Sequence, residues 1–264
     1  MDYPNFETLE LARDGAVLEV RLNRPDKRNA FNGTVVDDLK TCFTATNDDA
    51  STRVVKLSGN GKSFSAGADL TWMTEQAELP EAENAASAKH MAEMFLSIAR
   101  CKKPVVVRIH GHALGGGSGL TAAADIAITA DTTLFGLTEV KLGIVPAVIS
   151  PFVIQKIGVG RARALFLTGE RFDGREAERI GLVHKSVPED QLDGEVDRVI
   201  GELLSSGPSA VASAKELIQT MGSMSLEDAI PITSKWIAQV RSTPEAKDGM
   251  TAFLERRKPG WMTS

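Results

Sequence analysis

The chain has 264 residues, 42% of them hydrophobic, and can therefore bury a substantial core as one large domain. Its 30 Lys and Arg residues against 35 Asp and Glu residues give a net charge of −5. This balance argues against a nucleic-acid partner, because binding a phosphate backbone needs a basic face. No apolar run approaches the roughly 18–20 residues that span a bilayer, so we expect no membrane-embedded segment either.

The first ten residues and the two cysteines bear on the cellular compartment. Residues 1–10 carry three acidic side chains and no basic cluster, unlike a signal peptide. Cys42 and Cys101 could form one disulfide by number, but so few cysteines are typical of a cytosolic enzyme with free thiols. The four histidines show no metal-ligand spacing. We therefore expect a cytoplasmic protein without a disulfide scaffold or a metal site.

The first hundred residues alternate between strand and helix patterns. Alternating runs at 8–11 and 16–22 flank Asp14-Gly15, which predicts a β-hairpin. Asn32 is an N-cap residue before apolar residues at helical spacing, which predicts a helix to about residue 47. The other elements predicted up to residue 109 are buried strands at 54–57 and 104–109 and a helix at 85–101.

The rest of the chain becomes mainly helical. Segment 75–87, rich in Glu and Ala, is interpreted as a mobile loop or lid, with an ordinary surface loop as the alternative. The overall order predicts an α/β core domain over 1–199 and a C-terminal helical region over 200–264. The elements predicted after residue 110 are strands at 125–130 and 182–187 and helices at 150–157, 160–168, 173–180, 189–205, 208–221, 225–241 and 244–256.

Two glycine-rich loops, 59–70 and 111–120, each follow a predicted strand. The first contains Gly61-Lys62-Ser63, but a P-loop needs a further glycine where Lys56 stands. The second lacks the Gly-x-Gly-x-x-Gly spacing of a dinucleotide fingerprint, since Leu120 occupies the last position counted from Gly115. Both phosphate-binding motifs are therefore excluded.

What remains in the second loop is a strand, a glycine turn and a helix N-terminus. Backbone N–H groups at such a terminus are unpaired, and the helix dipole favours negative charge. Glycine also lets a ligand approach the backbone closely. Close helix–strand packing without a ligand is the alternative. Two such loops together favour a two-donor anion hole.

Glu139 lies among apolar residues, with Gly136 and Gly143 on either side. A carboxylate in such surroundings has its pKa raised towards a value that is useful for general acid–base catalysis. The alternative is a surface ion pair with Lys141.

Three segments carry a resemblance to a known family. They are Phe64-Ser65-Ala66-Gly67-Ala68-Asp69-Leu70, Ala113-Leu114-Gly115-Gly116-Gly117, and Phe135-Gly136 through Glu139 to Pro146. In this order they resemble the enoyl-CoA hydratase/isomerase (crotonase) family. The resemblance covers nearly the whole chain, including residues 23–30 and 253–259. It implies a spiral of ββα turns followed by a C-terminal helical region that builds trimers, often paired into hexamers.

The resemblance also implies roles for individual residues. The N–H groups of Ala68 and Gly116 form an oxyanion hole for a thioester oxygen, beside Glu139 as the catalytic carboxylate. Coenzyme A is part of the acyl-CoA substrate, and no separate cofactor is implied. The residues that the resemblance places near the substrate or coenzyme A are Lys27, Arg28, Ala30, Ala66, Asp69, Leu70, Gly115, Gly119 and, from a neighbouring subunit, Arg256.

Two positions depart from the family pattern. Typical hydratases carry a second glutamate where this chain has Gly119, so either space is wanted there or an unused site has drifted. The usual glycine-rich stretch after Pro146 is replaced by the more apolar segment 147–153. With segment 64–73, these departures resemble bacterial hydratases of 3-methylglutaconyl-CoA and isohexenylglutaconyl-CoA, which act in leucine and acyclic terpene degradation.

The resemblance implies water addition to a 3-substituted glutaconyl-CoA, with Glu139 as the base. The missing glutamate at Gly119 would leave room for the substrate's own carboxylate. Two alternatives stay open: a Δ3,Δ2-enoyl-CoA isomerase, and a CoA-binding protein without catalytic activity.

Overall fold

The computed structural model describes residues 3–222 and 224–262. Strands and helices alternate over the first two thirds of the chain, and helices follow, which confirms the α/β prediction. The strands are β1 (Leu9–Asp14), β2 (Val17–Leu22), β3 (Val54–Gly59), β4 (Val105–Ile109), β5 (His112–Leu114), β6 (Ile126–Ala130), β7 (Leu134–Gly136), β8 (Arg171–Phe172) and β9 (Lys185–Val187).

The helices surround these strands. They are α1 (Gly33–Thr46), α2 (Leu70–Ala77), α3 (Glu81–Ala99), α4 (Gly116–Ala123), α5 (Ser150–Thr168), α6 (Gly174–Ile180), α7 (Leu192–Ser205), α8 (Pro208–Met221), α9 (Leu226–Ser242) and α10 (Pro244–Glu255). No helix in the described ranges is long and apolar enough to cross a membrane.

The strands form two sheets. The larger has the order β1-β2-β3-β4-β6-β9; only β1 and β2 pair antiparallel, and the other neighbours are parallel. The smaller sheet has the order β5-β7-β8. Buried phenylalanines fill the core beside the larger sheet, and both Cys42 and Cys101 are free and buried there, as expected. The carboxyl ends of β3 and β4 lead directly into the two glycine-rich loops.

The predicted hairpin and the first helix are confirmed. Asp14 pairs with Val17 across the turn, where Gly15 adopts a φ of 52°, a left-handed conformation that glycine adopts without strain. Asn32 caps α1, its side chain accepting a hydrogen bond from the Val35 N–H.

The predicted loop at 75–87 is wrong. Helix α2 continues to Ala77 and α3 begins at Glu81, so only three residues separate the two helices. Pro80 stands just before α3, and Glu81 and Glu83 occupy its first turn, where the dipole favours acidic side chains. The Glu- and Ala-rich composition therefore belongs to helix, in agreement with the propensity of both residues.

The smaller sheet is absent from the sequence prediction. Its strands have two or three residues, shorter than the runs of four to eight that an alternating pattern can identify. The kink in α5 at Gly158, where φ is 75°, coincides with the break predicted between two helices. The predicted boundary between residues 199 and 200 falls inside α7, whose Val196 and Ile200 pack in a buried cluster with Ile128 of β6.

A buried ion pair joins α8 to the start of the parallel strands. Lys215 Nζ donates to Asp125 Oδ2 at 2.6 Å and to the Lys103 carbonyl at 3.2 Å. The same carboxylate oxygen accepts the Val105 N–H at 2.7 Å. The side chain of Lys215 is only 9% exposed. Burial nevertheless raises the pKa of Asp125, although Lys215 acts in the opposite direction.

We expect Lys215→Met to lower the free energy of unfolding by about 3 kcal/mol at pH 7.5, because it leaves Asp125 buried without its counter-ion. The folded-state pKa of Asp125 is raised, so the penalty for its charge is removed as pH falls through that pKa. Urea unfolding at pH 7.5 and pH 5 should therefore give a smaller loss at the lower pH. An equal loss at both values would contradict this account, and Lys235→Met, on an exposed face, serves as control.

Candidate active site

The two glycine-rich loops lie against each other. The Ser65 N–H donates to the His112 carbonyl at 2.9 Å, and the Leu114 N–H donates to the Ser65 carbonyl at 3.1 Å. Gly67, with a φ of 92°, comes so close that a Cβ there would lie 2.8 Å from the Leu114 carbonyl oxygen. The close contact and the left-handed backbone both require glycine at position 67. The pairing brings Ala68 and the N-terminus of α4 to the same place.

The N–H groups of Ala68 and Gly116 are left unused by the protein. The Phe31 N–H donates to the Gly67 carbonyl and the Asp69 N–H donates to the Phe31 carbonyl, so the Ala68 N–H between them faces away from Phe31. Gly116 is the first residue of α4, where an N–H has no intrahelical acceptor. Among the described residues, neither group donates to a protein acceptor. Both line the same cavity.

Glu139 reaches this cavity from a 3-10 helix, Glu139–Leu142, that follows β7. Its Oε2 atom is buried and has no hydrogen-bond partner in the part of the chain that the structure describes. Its Oε1 atom lies above Gly115, where a Cβ would be only 3.2 Å away. Burial raises the pKa of Glu139 above its ordinary value. Lys141 is exposed, and among the described residues no ion pair joins it to Glu139, so the alternative of a surface pair is not observed.

The cavity in front of Glu139 has a volume of about 280 Å³, near the lower end of the range for small-molecule sites. One wall comes from α2 and α3 and the other from segment 144–149. The wall is mostly apolar, but three neutral polar side chains on the side formed by α2 and α3, Gln76, Asn84 and Ser87, make up its polar part. The lining side chains outside the reacting groups include Phe31, Trp72, Met73, Gln76, Asn84, Ser87, Met91, Val145, Val148 and Ile149.

A second, more polar cavity of about 630 Å³ shares the groups Ala68, Gly116 and Glu139 with the first. Three of the residues predicted to bind substrate or coenzyme A line it: Ala66, Leu70 and Gly115. Two cations, Lys141 and Arg171, also line it, and the sequence interpretation did not single out either for ligand binding. The predicted reacting groups therefore lie where an apolar cavity and a partly cationic cavity meet.

The other predicted binding residues line neither cavity. Lys27 and Arg28 are exposed at a short 3-10 helix, Pro25–Lys27, and its left-handed end. The Arg28 carbonyl accepts the Ala66 N–H at 2.9 Å, which links this surface to the first glycine-rich loop. Ala30 is buried, and its carbonyl accepts a hydrogen bond from Arg24.

Asp69 holds the start of α2 in place. Its side chain accepts the Thr71 N–H at 3.1 Å and pairs with Arg24 at 3.3 Å. Although burial acts in the opposite direction, these two contacts keep the pKa of Asp69 below its ordinary value. Arg256, the remaining predicted residue, is exposed at the end of α10 and has a φ of 55°.

The prediction that Gly119 leaves room for the substrate is wrong. Gly119 lies inside α4 and lines neither cavity. A Cβ at this position would lie 2.4 Å from Ile149 Cγ2 and 2.9 Å from Phe95 Cε1. Ile149, 4% exposed, therefore occupies the space in which a glutamate side chain at 119 would begin. The two departures from the family pattern, Gly119 and the apolar segment 147–153, therefore belong together, because Ile149 of that segment packs against Gly119.

We expect Gly119→Ala to lower the free energy of unfolding by about 1–2 kcal/mol, because the overpacking cost exceeds the helix-propensity gain of about 1 kcal/mol. Ile149→Ala removes the clashing methyl groups, so the double variant should lose less stability than the sum of the two single variants. Urea unfolding of all four proteins measures this coupling. Additive losses would mean that Ile149 does not restrict position 119.

Sequence reasoning missed the polar part of the cavity. Gln76 lies four residues after Trp72 on α2, and Asn84, Ser87 and Met91 follow helical spacing on one face of α3. The signal was present in the sequence, but interpreting 75–87 as a loop concealed it. In the ranges that the structure covers, no group of three or more His, Cys, Asp or Glu side chains could hold a metal ion.

Comparison with known proteins agrees with this geometry. The family model for enoyl-CoA hydratase/isomerase matches residues 12–264. The crotonyl-CoA hydratase of Syntrophomonas wolfei is 34% identical, over 98% of this chain and 99% of that protein. The crystal structure of an enoyl-CoA hydratase from Shewanella pealeana superposes with a TM-score of 0.93 at 35% identity, covering 97% of this chain and 96% of that one.

AtuE of Pseudomonas aeruginosa is equally similar in structure, with a TM-score of 0.93 and 35% identity over 97% of this chain and 99% of that chain. These similarities confirm the predicted crotonase-like fold. The chain therefore belongs to the enoyl-CoA hydratase/isomerase family.

Proposed function

We propose that this enzyme adds water to a branched 2-enoyl-CoA, namely a 3-substituted glutaconyl-CoA that carries a methyl or an isohexenyl group. The observation that carries the proposal is the Glu139 carboxylate, whose buried Oε2 atom has no partner among the described residues, beside the two unused N–H groups of Ala68 and Gly116. Names of similar proteins, such as crotonyl-CoA hydratase, support hydration of an enoyl-CoA.

The two N–H groups stabilise the charge that develops during the reaction. When water attacks C3, electrons move through C2 to the thioester oxygen, which becomes an enolate oxygen. Ala68 and Gly116 donate hydrogen bonds to that oxygen, and the dipole of α4 adds to their effect. Such fixed donors reorganise little during the reaction, because the two loops hold them through backbone hydrogen bonds.

Glu139 performs both proton transfers in this proposal. Its carboxylate takes a proton from the water whose oxygen bonds to C3, which leaves a neutral carboxyl group and an enolate. The carboxyl group then returns that proton to C2 on the same face, and the enolate collapses to the saturated thioester. A raised pKa makes the Glu139 carboxylate a stronger base for the first step, and the enolate carbon is basic enough to take the proton from the carboxyl group in the second.

The cavity walls support a substituent at C3. Trp72, Met91 and Val148 present apolar surface beside the reacting groups, which suits a methyl or larger alkyl group. Ile149 fills the position of a second carboxylate, so the substrate meets one acidic side chain rather than two. One carboxylate repels a diacid acyl group less than two would.

Binding of coenzyme A and assembly are part of the proposal. The cavity that contains Lys141 and Arg171 is also lined by Ala66, Leu70 and Gly115. Lys27 and Arg28 lie on the surface that the Arg28–Ala66 hydrogen bond joins to the first glycine-rich loop. The positive charge of these side chains suits the phosphates of coenzyme A. Phe253 and Leu254 on α10 are 84% and 80% exposed. Such exposed apolar side chains support a homotrimer or a dimer of trimers in which a neighbouring subunit covers this end of α10.

The test measures incorporation of oxygen from H₂¹⁸O. Purified protein is incubated with 3-methylglutaconyl-CoA, its isohexenyl analogue or crotonyl-CoA, and the products are analysed by mass. A labelled hydroxyl group on a diacid thioester, with little on crotonyl-CoA, supports the proposal. Hydration of crotonyl-CoA alone would contradict the branched diacid substrate but retain the hydratase.

A Δ3,Δ2-enoyl-CoA isomerase is the second candidate, because a single carboxylate can move a proton between C2 and C4. The absence of a second glutamate at Gly119 favours it specifically. A shifted double bond in a 3-enoyl-CoA, without ¹⁸O in the product, would identify this activity.

A further inference from the structure

The side chains in the polar part of the apolar cavity have no hydrogen-bond partner among the described residues. Within residues 3–222 and 224–262, the Oε1 atom of Gln76 is buried and accepts no hydrogen bond. In the described part of the chain, the side chains of Asn84 and Ser87 make no hydrogen bond to another protein group. Burying part of the Gln76 amide without a partner costs free energy. Asn84 and Ser87 are half-buried on the same wall, so the donors of all three side chains are left to bind a ligand.

Only neutral hydrogen-bonding groups are present there. Among the described residues that line this cavity, Glu139 is the one ionisable side chain. Gln76 and Asn84 each offer an amide NH₂, and because Oε1 is the buried atom of the Gln76 amide, its NH₂ is the end that can face the cavity. With the Ser87 hydroxyl they form a cluster of donors within a mostly apolar wall. A carboxylate accepts several such hydrogen bonds, which its charge strengthens.

The spacing fits a short acyl chain. Gln76 lies six residues after Leu70, the first residue of α2, so its Cα is about 9 Å further along the helix than that of Leu70. Four carbon–carbon bonds of about 1.5 Å put C5 of the acyl group roughly 5 Å from the thioester carbon. Long side chains on a helix lean back towards its N-terminus, so the remaining distance to C5 is within the reach of a glutamine side chain.

We infer that Gln76, assisted by Asn84 and Ser87, binds the terminal carboxylate of a five-carbon diacid acyl group and so determines substrate specificity. This inference rests on the proposed function, because it assigns the second end of the same acyl group. Gln76 selects by hydrogen bonding and takes no part in proton transfer. It replaces the space at Gly119 as the feature that admits the diacid.

The experiment compares two thioesters that differ only by the terminal carboxylate: 3-methylglutaconyl-CoA and 3-methylcrotonyl-CoA. We expect kcat/KM of the wild type to favour the diacid, and Gln76→Leu to lower that ratio by about tenfold or more, the size expected for a hydrogen bond to a charged group. Asn84→Leu should lower the ratio less. Gln155→Leu, the same change at an exposed position outside the cavity, should leave the ratio unaltered.

Binding of saturated analogues gives a readout without catalysis. Calorimetry with glutaryl-CoA and butyryl-CoA should show preference for glutaryl-CoA in the wild type, lost in Gln76→Leu and partly kept in Gln76→Asn. Circular dichroism and thermal unfolding verify that each variant is folded.

The failures of the two proposals are distinguishable. If Gln76→Leu weakens both thioesters equally, the side chain only packs in the wall, and the inference is overturned while the hydratase stands. If the wild type hydrates both thioesters equally well, the inference is likewise overturned and the hydratase activity stands. If no thioester gains ¹⁸O, the proposed function fails, and a lack of preference between glutaryl-CoA and butyryl-CoA would then overturn the inference separately.

Discussion

Glu139→Gln is expected to lower kcat by about 10²–10⁴-fold, the usual contribution of a positioned general acid–base group. The variant keeps the shape of the side chain and removes its ability to take a proton. Because Glu139 is the one ionisable side chain among the described residues that line the apolar cavity, no neighbour there is placed to replace it. Steady-state kinetics on the substrate that the wild type hydrates measures the loss.

The stability of this variant separates catalysis from folding. Burial raises the pKa of Glu139 in the folded protein, so its charge costs stability above the unfolded pKa and this cost disappears at lower pH. Glu139→Gln should therefore unfold at a temperature equal to or above that of the wild type at pH 7.5, with a smaller difference near pH 4.5. An inactive variant that is also less stable at pH 7.5 would point to a structural role.

The pH dependence of the wild type provides a second check on the same carboxylate. The base must be ionised, so kcat/KM should fall as pH decreases through the raised pKa of Glu139, above the ordinary range of a glutamate. Glu170→Gln, an exposed change outside both cavities, is the matched control and should keep the wild-type profile. If the wild type shows no activity on any thioester, Glu139→Gln has none to lose, and the CoA-binding protein without catalytic activity is the remaining interpretation.

Local signals in the sequence predicted most elements of the fold. Asn32 and the apolar spacing after it predicted α1, and Asp14-Gly15 predicted the turn between β1 and β2. The two glycine-rich loops were identified because each follows a buried strand. The sequence did not show that the two loops contact each other, because the pairing of Ser65 with Ala113 joins residues about fifty positions apart.

Features that depend on packing between distant segments were not predictable in this way. Gly119 and Ile149 each departed from the family pattern, but nothing local shows that one side chain fills the space left by the other. The polar face of α2 and α3 was missed for a related reason: a Glu- and Ala-rich composition around Pro80 was interpreted as a loop, whereas Pro80 only separates two helices. The reacting groups were therefore predicted better than the walls around them.

Removing the Ala68 N–H is expected to lower kcat and kcat/KM together by about 10²–10³-fold, the cost of losing one oxyanion donor. Ala68→Pro deletes this N–H while Phe31 keeps its hydrogen bonds to Gly67 and Asp69, and thermal unfolding verifies that the variant is folded. The proline ring also enters the cavity, and a second variant is therefore needed. Replacing the amide at position 68 by an ester removes the donor and adds no bulk.

The comparison with Ala68→Ser isolates the donor from the side chain. Serine keeps the N–H and changes only the atoms beyond Cβ, so its loss should be much smaller than that of the proline and ester variants. Equal losses in kcat and kcat/KM are expected because the donor stabilises charge that exists mainly in the transition state. If the ester retains activity within about threefold of the wild type, Gly116 alone would have to stabilise the oxygen. The two-donor hole formed by the paired loops would then be rejected.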